Sequence, residues 1–445
     1  MVKLTFLGAI NDIGASGLLA ETGGQRAARM VFDYGSDVQE IPQRFPQAVR
    51  GSIDAAFLSH AHLDHCGGLA LLSKRASFPI YSLSVNKQLA EMLLEDSLKI
   101  ARNEGVNLPF NKDDVHRTIK HFSPMEYKQP VFVGGGKGGE RVTAVAYDAG
   151  HIPGSMMVFV DFGGEGYAAT KTRSKRCHNM LYTGDFNTSS TRLLAHADTE
   201  LPEIDTLIME STYANRDHPD REEEEKRLVR LVEATIDDGG MSIISNFATG
   251  RTQEILLILN KYGIDYPIYM DGMARKATTI INTYPRLMRD PTELDKALRK
   301  VRYINNEQDR KRAINAPGAI LTTSGMLNGG PVVWYIKKLY DDTRNALILT
   351  GYQAEGTAGR TLLDTGRFVL EDEREKLNLR MRMQVSRMDF SSHCGRAQLL
   401  EFVERVRPRR VFCMHGDDTP AFAEELRRKG FDAIAPTPNN RTFDI

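Results

Sequence analysis

The stretch Ser59-His60-Ala61-His62-Leu63-Asp64-His65-Cys66-Gly67-Gly68 constrains this chain more tightly than any other part of it. It continues the apolar run at residues 55–59, which reads as a strand, so four side chains able to hold a metal leave one strand end within six positions. Donors this crowded converge only if something attractive offsets their crowding, and a metal ion does so. Zinc accepts imidazole nitrogens and carboxylate oxygens, and three protein donors plus a water make an open, reactive site. His60 and His62 pair naturally on one ion, Asp64 and His65 on a second. Two ions about 3.5–4 Å apart stabilise both the attacking and the leaving oxygen of a displacement at phosphorus. Both coordination spheres then need further His and Asp donors, again from strand ends.

Two later segments offer them. Asp148-Ala149-Gly150-His151-Ile152-Pro153-Gly154-Ser155 follows a strand-like run at 142–147, and Tyr182-Thr183-Gly184-Asp185-Phe186-Asn187 closes another at 180–183. In this order the motifs resemble those of the metallo-β-lactamase fold. Met209-Glu210-Ser211-Thr212-Tyr213, Asp389-Phe390-Ser391-Ser392-His393-Cys394-Gly395 and Cys413-Met414-His415-Gly416-Asp417 narrow the resemblance to the β-CASP nucleases. Asn246-Phe247-Ala248-Thr249-Gly250-Arg251-Thr252-Gln253-Glu254, Thr323-Ser324-Gly325-Met326-Leu327 and Gly351-Tyr352-Gln353-Ala354-Glu355-Gly356-Thr357 are similar to its cleavage-and-polyadenylation-specificity-factor branch, of archaeal or bacterial type. The resemblance covers essentially the whole chain.

It implies an α/β protein, a metallo-β-lactamase αββα sandwich with an inserted β-CASP domain built on a parallel βαβ sheet flanked by helices. It implies two Zn2+ ions per chain, the first held by His60, His62, His151 and a bridging Asp185, the second by Asp64, His65, Asp185 and His415. It gives Glu210 and His393 a catalytic role as an acid pair near the leaving oxygen, with Asp64 also counted as catalytic, and His415 favours RNA over DNA. The chemistry agrees: a water between two divalent ions loses its proton near pH 7, against about 15.7 in bulk. Hydroxide so formed attacks phosphorus, while a histidine kept protonated by a carboxylate returns a proton to the departing sugar oxygen. Attack by water predicts 5′-phosphate and 3′-hydroxyl ends. The expectation is a ribonuclease of RNA processing or decay, endonuclease, 5′–3′ exonuclease or both. Its alternatives are a small-ester, thioester or lactam hydrolase and a non-catalytic subunit of an RNA-processing complex.

The texture of the chain fits two domains: many short strands up to residue 213, strand and helix alternating over 214–388, and a small return of the first domain at 389–445. A helix over 84–104 interrupts the first part, and one over 273–287 lies in the insertion. The acidic run Glu222 to Glu225 reads as the solvated face of a helix, and His121, His178, His196 and His218 as surface residues without partners. Asp33 reads equally well as a residue fixing the metal loops or as an Asx-turn former. Cys66, Cys177, Cys394 and Cys413 lack metal spacing, and the three that flank donors read as small packing residues.

Lys+Arg and Asp+Glu balance at 58 each, which excludes a protein whose whole surface attracts nucleic acid. Residues 214–388 nevertheless carry three more basic than acidic side chains, placing the surplus on the domain expected to roof the active site. Ser324, Gly325, Ser391 and Ser392 are candidate substrate-binding residues near helix starts, where backbone N–H groups favour phosphate, although ordinary turn and capping use explains them equally well. The basic cluster 171–176 reads first as a solubilising loop and second as an RNA path. No run is long and apolar enough for a membrane span, and no secretory leader is legible, so a cytoplasmic protein is expected. The expected partners are single-stranded RNA, a second copy in a homodimer and possible RNA-processing complexes. With a strand beginning at residue 2, no RNA-binding domain is expected before it.

Overall fold

A computed structural model describes all residues except 24–26, 39–42, 75, 135–140, 164–177 and 372–375. Cys177 and the basic cluster 171–176 lie outside the described residues. The chain divides into two units, one of Met1–Ser190, His196–Asp217 and Ser392–Ile445, the other of Thr191–Ala195 and His218–Ser391.

The first unit is built on two seven-stranded sheets. One runs, edge to edge, Thr442–Asp444, Val2–Gly8, Gly17–Thr22, Arg29–Tyr34, Ala55–Phe57, Ile80–Leu83 and Phe122–Met125. The other runs Ala433–Ile434, Arg410–Met414, Thr206–Glu210, Asn179–Tyr182, Met156–Asp161, Arg141–Asp148 and Pro130–Gly134. Strands such as Met156–Asp161 and Asn179–Tyr182 are buried at every position, as expected of a layer covered on both faces. Aromatic rings join the sheets face to face, Phe6 to Phe412 at 5.3 Å and Phe32 to Tyr182 at 5.6 Å between centroids. Helices close the outer faces. Leu399, Phe402 and Val403 of Arg396–Val406 and Phe422 and Leu426 of Thr419–Arg428 pack on one sheet, while Leu94 of Ser84–Asn103 and Val115 of Lys112–Lys120 share a core under the other. This is the expected αββα sandwich.

The second unit carries a six-stranded sheet in the order Val301–Tyr303, Ile268–Met270, Gly318–Thr322, Met241–Ser245, Ala346–Leu349 and Gln384–Arg387, every neighbouring pair parallel. Helices cross between strands, as parallel pairing requires. The helix expected over 273–287 ends at Asn282, and Pro285–Leu287 forms a separate 3-10 turn. Pro285 disfavours helical backbone at the residue before it.

The acidic run on the helix Arg221–Asp237 is corrected by the structure. Glu222 and Glu223 are exposed, but Glu224 and Glu225 are buried. Arg192 meets Glu225 with two bonds of 2.8 Å, and Lys261 approaches it at 3.2 Å. Burial alone would push the Glu225 carboxyl up, but these cations hold it below its ordinary range. The backbone N–H groups of Arg192 and Leu193 donate to Glu254 at 3.0 and 2.7 Å, tying the segment Thr191–Ala195 into this unit. No helix of the described residues is long and apolar enough to cross a membrane.

Candidate metal centre

Every proposed donor sits just beyond the carboxyl end of a strand of the first unit, Asp64 and His65 in the short helix Leu63–Cys66 and the others on loops. His60 to His65 follow Ala55–Phe57, His151 follows Arg141–Asp148, Asp185 follows Asn179–Tyr182, and His415 follows Arg410–Met414. Glycine makes one of these approaches possible. Gly184 has φ 52°, and a Cβ there would lie 2.6 Å from the Cβ of Ser59, so the loop delivering Asp185 can press against the His60 loop only without a side chain. Asp33 and His415, with φ of 52° and 51°, hold the same left-handed conformation at the cost of strain.

The structure gathers the donors into two groups whose ligand atoms lie within 4.8 Å of one another: His60, His62, His151 and Asp185, and Asp64, His65, Asp185 and His415. Asp185 belongs to both. Its Oδ2 faces His60 Nε2 at 3.5 Å and His151 Nε2 at 3.7 Å, and its Oδ1 faces His65 Nε2 at 3.3 Å and His415 Nε2 at 3.6 Å. Asp64 Oδ2 stands 3.6 Å from His415 Nε2 and 3.9 Å from His65 Nε2.

The far sides of the rings fix which nitrogen faces inward. Asp33 Oδ2 accepts from His65 Nδ1 at 2.7 Å, and the Ser392 carbonyl accepts from His151 Nδ1 at 2.8 Å. The Ser59 hydroxyl donates to Asp33 at 2.7 Å and so accepts from His60 Nδ1 at 3.1 Å. His415 Nδ1 rests on Ser16 Oγ at 2.9 Å. With the proton held at Nδ1, Nε2 of His60 and His151 presents a lone pair, and His65 Nε2 does so once the ring gives up its second proton. His62 is turned the other way, its Nδ1 lying 3.1 Å from His60 Nε2 and 3.2 Å from His151 Nε2.

These donor sets fit metal ions. Bare lone pairs of His60 and His151 converge on His62 Nδ1 beside a carboxylate, and one proton cannot serve them both. In the other group His65 Nε2 and Asp185 Oδ1 are buried without a hydrogen-bond partner among the described residues, a costly arrangement that a cation relieves. Burial lowers His60 and His151 well below their ordinary pKa and His62 to about 4, keeping them neutral as metal binding needs. Burial also opposes charge on His65, but the carboxylates of Asp185, Asp33 and Asp64 outweigh it and raise the ring well above its ordinary value. That half of the pocket favours a cation. Burial likewise opposes charge on Asp185, yet His65, His415 and His393 hold its carboxyl well below the usual range.

Glu210 and His393 form a third cluster with Asp185. His393 Nδ1 lies 2.9 and 3.1 Å from the two Glu210 oxygens. Those oxygens also accept the N–H of Phe186 at 3.0 Å and of Thr212 at 3.2 Å, so the carboxylate cannot turn away. Nε2 of His393 is left on the side of Asp185, 4.0 Å from its Oδ2. Burial would lower the His393 pKa, but Glu210 first and Asp185 next raise it to about 9. Its ring packs edge-on against His151 at 4.5 Å and Tyr213 at 5.7 Å.

The remaining candidates are placed differently. Ser392 contributes its carbonyl to His151, and Ser391 belongs to the other unit, where its N–H donates to Asp389 at 3.0 Å and its carbonyl accepts from Arg221 at 3.2 Å. The Ser324 hydroxyl donates to the Gly329 carbonyl at 3.1 Å, and Gly325 packs against the Phe247 ring. Asp33 takes four hydrogen bonds of 2.7–2.8 Å, from Ser59 N–H, Ser59 Oγ, Tyr182 Oη and His65 Nδ1, and so fixes the metal loops. Sequence reasoning missed Ser16, Ser59 and Tyr182. His218 is not partnerless, since it meets Asp389 at 3.2 Å, and His121 and His178 bond Ser77 and Thr206 at 3.0 and 2.9 Å. The thiols of Cys66, Cys394 and Cys413 are buried; burial raises all three, Cys394 and Cys413 to about 12, so they act as packing groups.

Comparison with known families agrees along the chain. A metallo-beta-lactamase superfamily domain matches residues 27–211, a Beta-Casp domain 252–362, and a Zn-dependent metallo-hydrolase RNA specificity domain 378–436. "Probable RNase MJ4" of Methanocaldococcus jannaschii is 35% identical, over 98% of this chain and 98% of its own. "RNase aCSPSF2" of Saccharolobus solfataricus is 33% identical over 97% of this chain and 83% of its own. "Transcription termination factor FttA" of Pyrococcus horikoshii is 33% identical over 99% and 70%. A solved structure of a protein of unknown function from Enterococcus faecalis shares the fold, with a TM-score of 0.58 at 14% identity and full coverage of both chains. The chain belongs to the β-CASP family of metallo-β-lactamase-fold ribonucleases.

Proposed function

We propose that this protein is a zinc-dependent ribonuclease that hydrolyses phosphodiester bonds of single-stranded RNA, in RNA processing or decay. The observation that carries the reading is the Glu210–His393 pair set against Asp185, the residue common to both donor groups. His60, His62, His151 and Asp185 would hold one Zn2+, and Asp64, His65, Asp185 and His415 the second. When bound, such ions supply a nucleophilic water at neutral pH and neutralise charge developing at phosphorus. The chain's own residues do the rest. Glu210 orients the His393 ring and keeps it protonated, so that Nε2 can give its proton to the departing 3′ oxygen. Asp33, Ser16, Ser59 and the Ser392 carbonyl hold the ligand rings in the orientation that presents them inward. Ser324, Gly325, Ser391 and Ser392 are assigned to the substrate path, Ser391 through its hydroxyl because its N–H is taken by Asp389. The reading extends to a cytoplasmic homodimer working alone or within RNA-processing complexes.

The test is a time course of the zinc-loaded protein on 5′- and 3′-labelled RNA carrying different 5′ ends. The expected products bear 5′-phosphates and 3′-hydroxyls, with internal fragments marking endonuclease action and released mononucleotides exonuclease action. Asp64→Ala should abolish cleavage without unfolding the protein. Intact RNA beside rapid turnover of a small ester or thioester would overturn the proposal.

A further inference from the structure

The second unit holds a cavity of about 380 Å³ lined by Gly272, Arg275, Lys276, Thr279 and Tyr303. It lies where Ile268–Met270 and Val301–Tyr303 end, at the carboxyl edge of the parallel sheet, the side on which open α/β sheets bind ligands. The lining is of one kind electrostatically: two cations, a hydroxyl, a glycine and an aromatic ring, with no carboxylate. Tyr303 is 43% exposed on the edge strand, unusual for so large a ring. Arg275 is braced beside it. Its Nη1 donates to the Ile304 carbonyl at 2.5 Å, its guanidinium carbon sits 5.7 Å from the Tyr303 ring centre, and its Nε is buried without a partner among the described residues. Lys276 is exposed one residue on.

Glycine is needed at the mouth. Gly272 precedes the helix Met273–Asn282 with φ 77°, and a Cβ there would meet Thr323 Oγ1 at 2.6 Å and Pro331 Cγ at 2.9 Å. The Gly272 N–H at the start of that helix donates to Asp271 Oδ1 at 2.6 Å.

A ring that can stack, flanked by a braced guanidinium and an exposed ammonium, matches how single-stranded nucleic acid is held: stacking for the base, cations for the phosphate. We propose that this cavity binds one nucleotide of a single-stranded RNA, with the base on Tyr303 and the adjoining phosphate on Arg275 and Lys276. The proposal rests on the ribonuclease reading above and adds to it a contact remote in sequence from every metal donor.

The test is fluorescence anisotropy of a labelled twelve-nucleotide oligouridylate on the zinc-loaded full chain, in a His393→Ala background that preserves the probe. Tyr303→Ala should weaken binding roughly tenfold while Tyr303→Phe, which keeps the ring, retains it. Lys276→Gln should also weaken binding and make the slope of log affinity against log salt shallower by about 0.7, the signature of one lost phosphate contact on a single strand. Melting temperature and zinc content should match the parent, and Lys276, being exposed, keeps the test open if Tyr303→Ala fails to fold. Parental affinity and salt slope in both variants would overturn this proposal and leave the ribonuclease reading standing. A parent with no affinity for RNA would overturn both.

Discussion

Ser16 and His415, 399 positions apart, are joined by a buried contact of 2.9 Å between Oγ and Nδ1. The serine is fully enclosed, its N–H donates to the Asp64 carbonyl at 2.8 Å, and its carbonyl accepts from Gly35. One residue thus steers His415 and pins the backbone of Asp64, both on the same side of the centre. Ser16→Ala is expected to lower metal affinity at that site by about 10- to 100-fold with little change in fold. Competitive zinc titration against a chromogenic chelator measures it, and unchanged affinity would show that the ring needs no such brace.

Glu210→Gln keeps the shape of the carboxylate and removes its charge. The His393 ring then loses the largest of the attractions that keep it protonated, so cleavage should fall by about 10²- to 10⁴-fold near neutrality. His393→Ala should fall comparably, and the double variant hardly further, because the two act as one unit. Single-turnover RNA cleavage with parallel metal analysis decides this; a loss of zinc in either variant would argue for a ligand role instead.

Asp148 is half-buried at the start of the His151 loop, where loss of water first and the neighbouring Asp198 next raise its pKa from 3.8 to about 6. As pH climbs past 3.8 the unfolded chain releases this proton first, so the folded state loses stability until about pH 6 and gains none back above it. Asp148→Asn keeps the shape and the Oδ1 acceptor for the Gly150 N–H while removing the charge. It should stabilise by about 3 kcal/mol above pH 7 and not at all below pH 3.8. Melting curves at pH 4 and pH 8, about the two limits, would show the difference.

Glu225 has the opposite sign. Its pKa is depressed, so its stabilisation is present above the ordinary 4.5 and disappears as pH falls through the folded value. Glu225→Ala leaves Arg192 and Lys261, each about a third exposed, to be solvated by water and should cost about 1–2 kcal/mol at pH 7. The gap between variant and parent in urea midpoint should narrow in acid.

The clustering of the candidate donors was legible because their chemistry leaves few alternatives: His60, His62, Asp64 and His65 at a strand end have no common structural use together. The supports were not. Ser16 and Ser59 look like any turn serine, and the Ser392 carbonyl has no signature in sequence, since its contact with His151 is set by packing across 241 positions. Long elements such as the helix Arg396–Val406 announced themselves by apolar spacing, whereas Val301–Tyr303, three residues with one half-buried and two exposed, carries no periodicity to read. Glu225 was misread for a related reason. Four consecutive acids look solvated until Arg192, from a segment not adjacent in sequence, is brought against the last of them.

The segment Thr191–Ala195 makes the second unit discontinuous. A fragment excised as residues 218–391 would begin and end sensibly on paper yet leave Glu254 without two backbone donors and Glu225 without Arg192. Insertion of this unit into the chain is therefore not a simple graft at one point. Five residues of the host stretch were recruited as its mortar, and any recombination that moves the unit between relatives must carry them along.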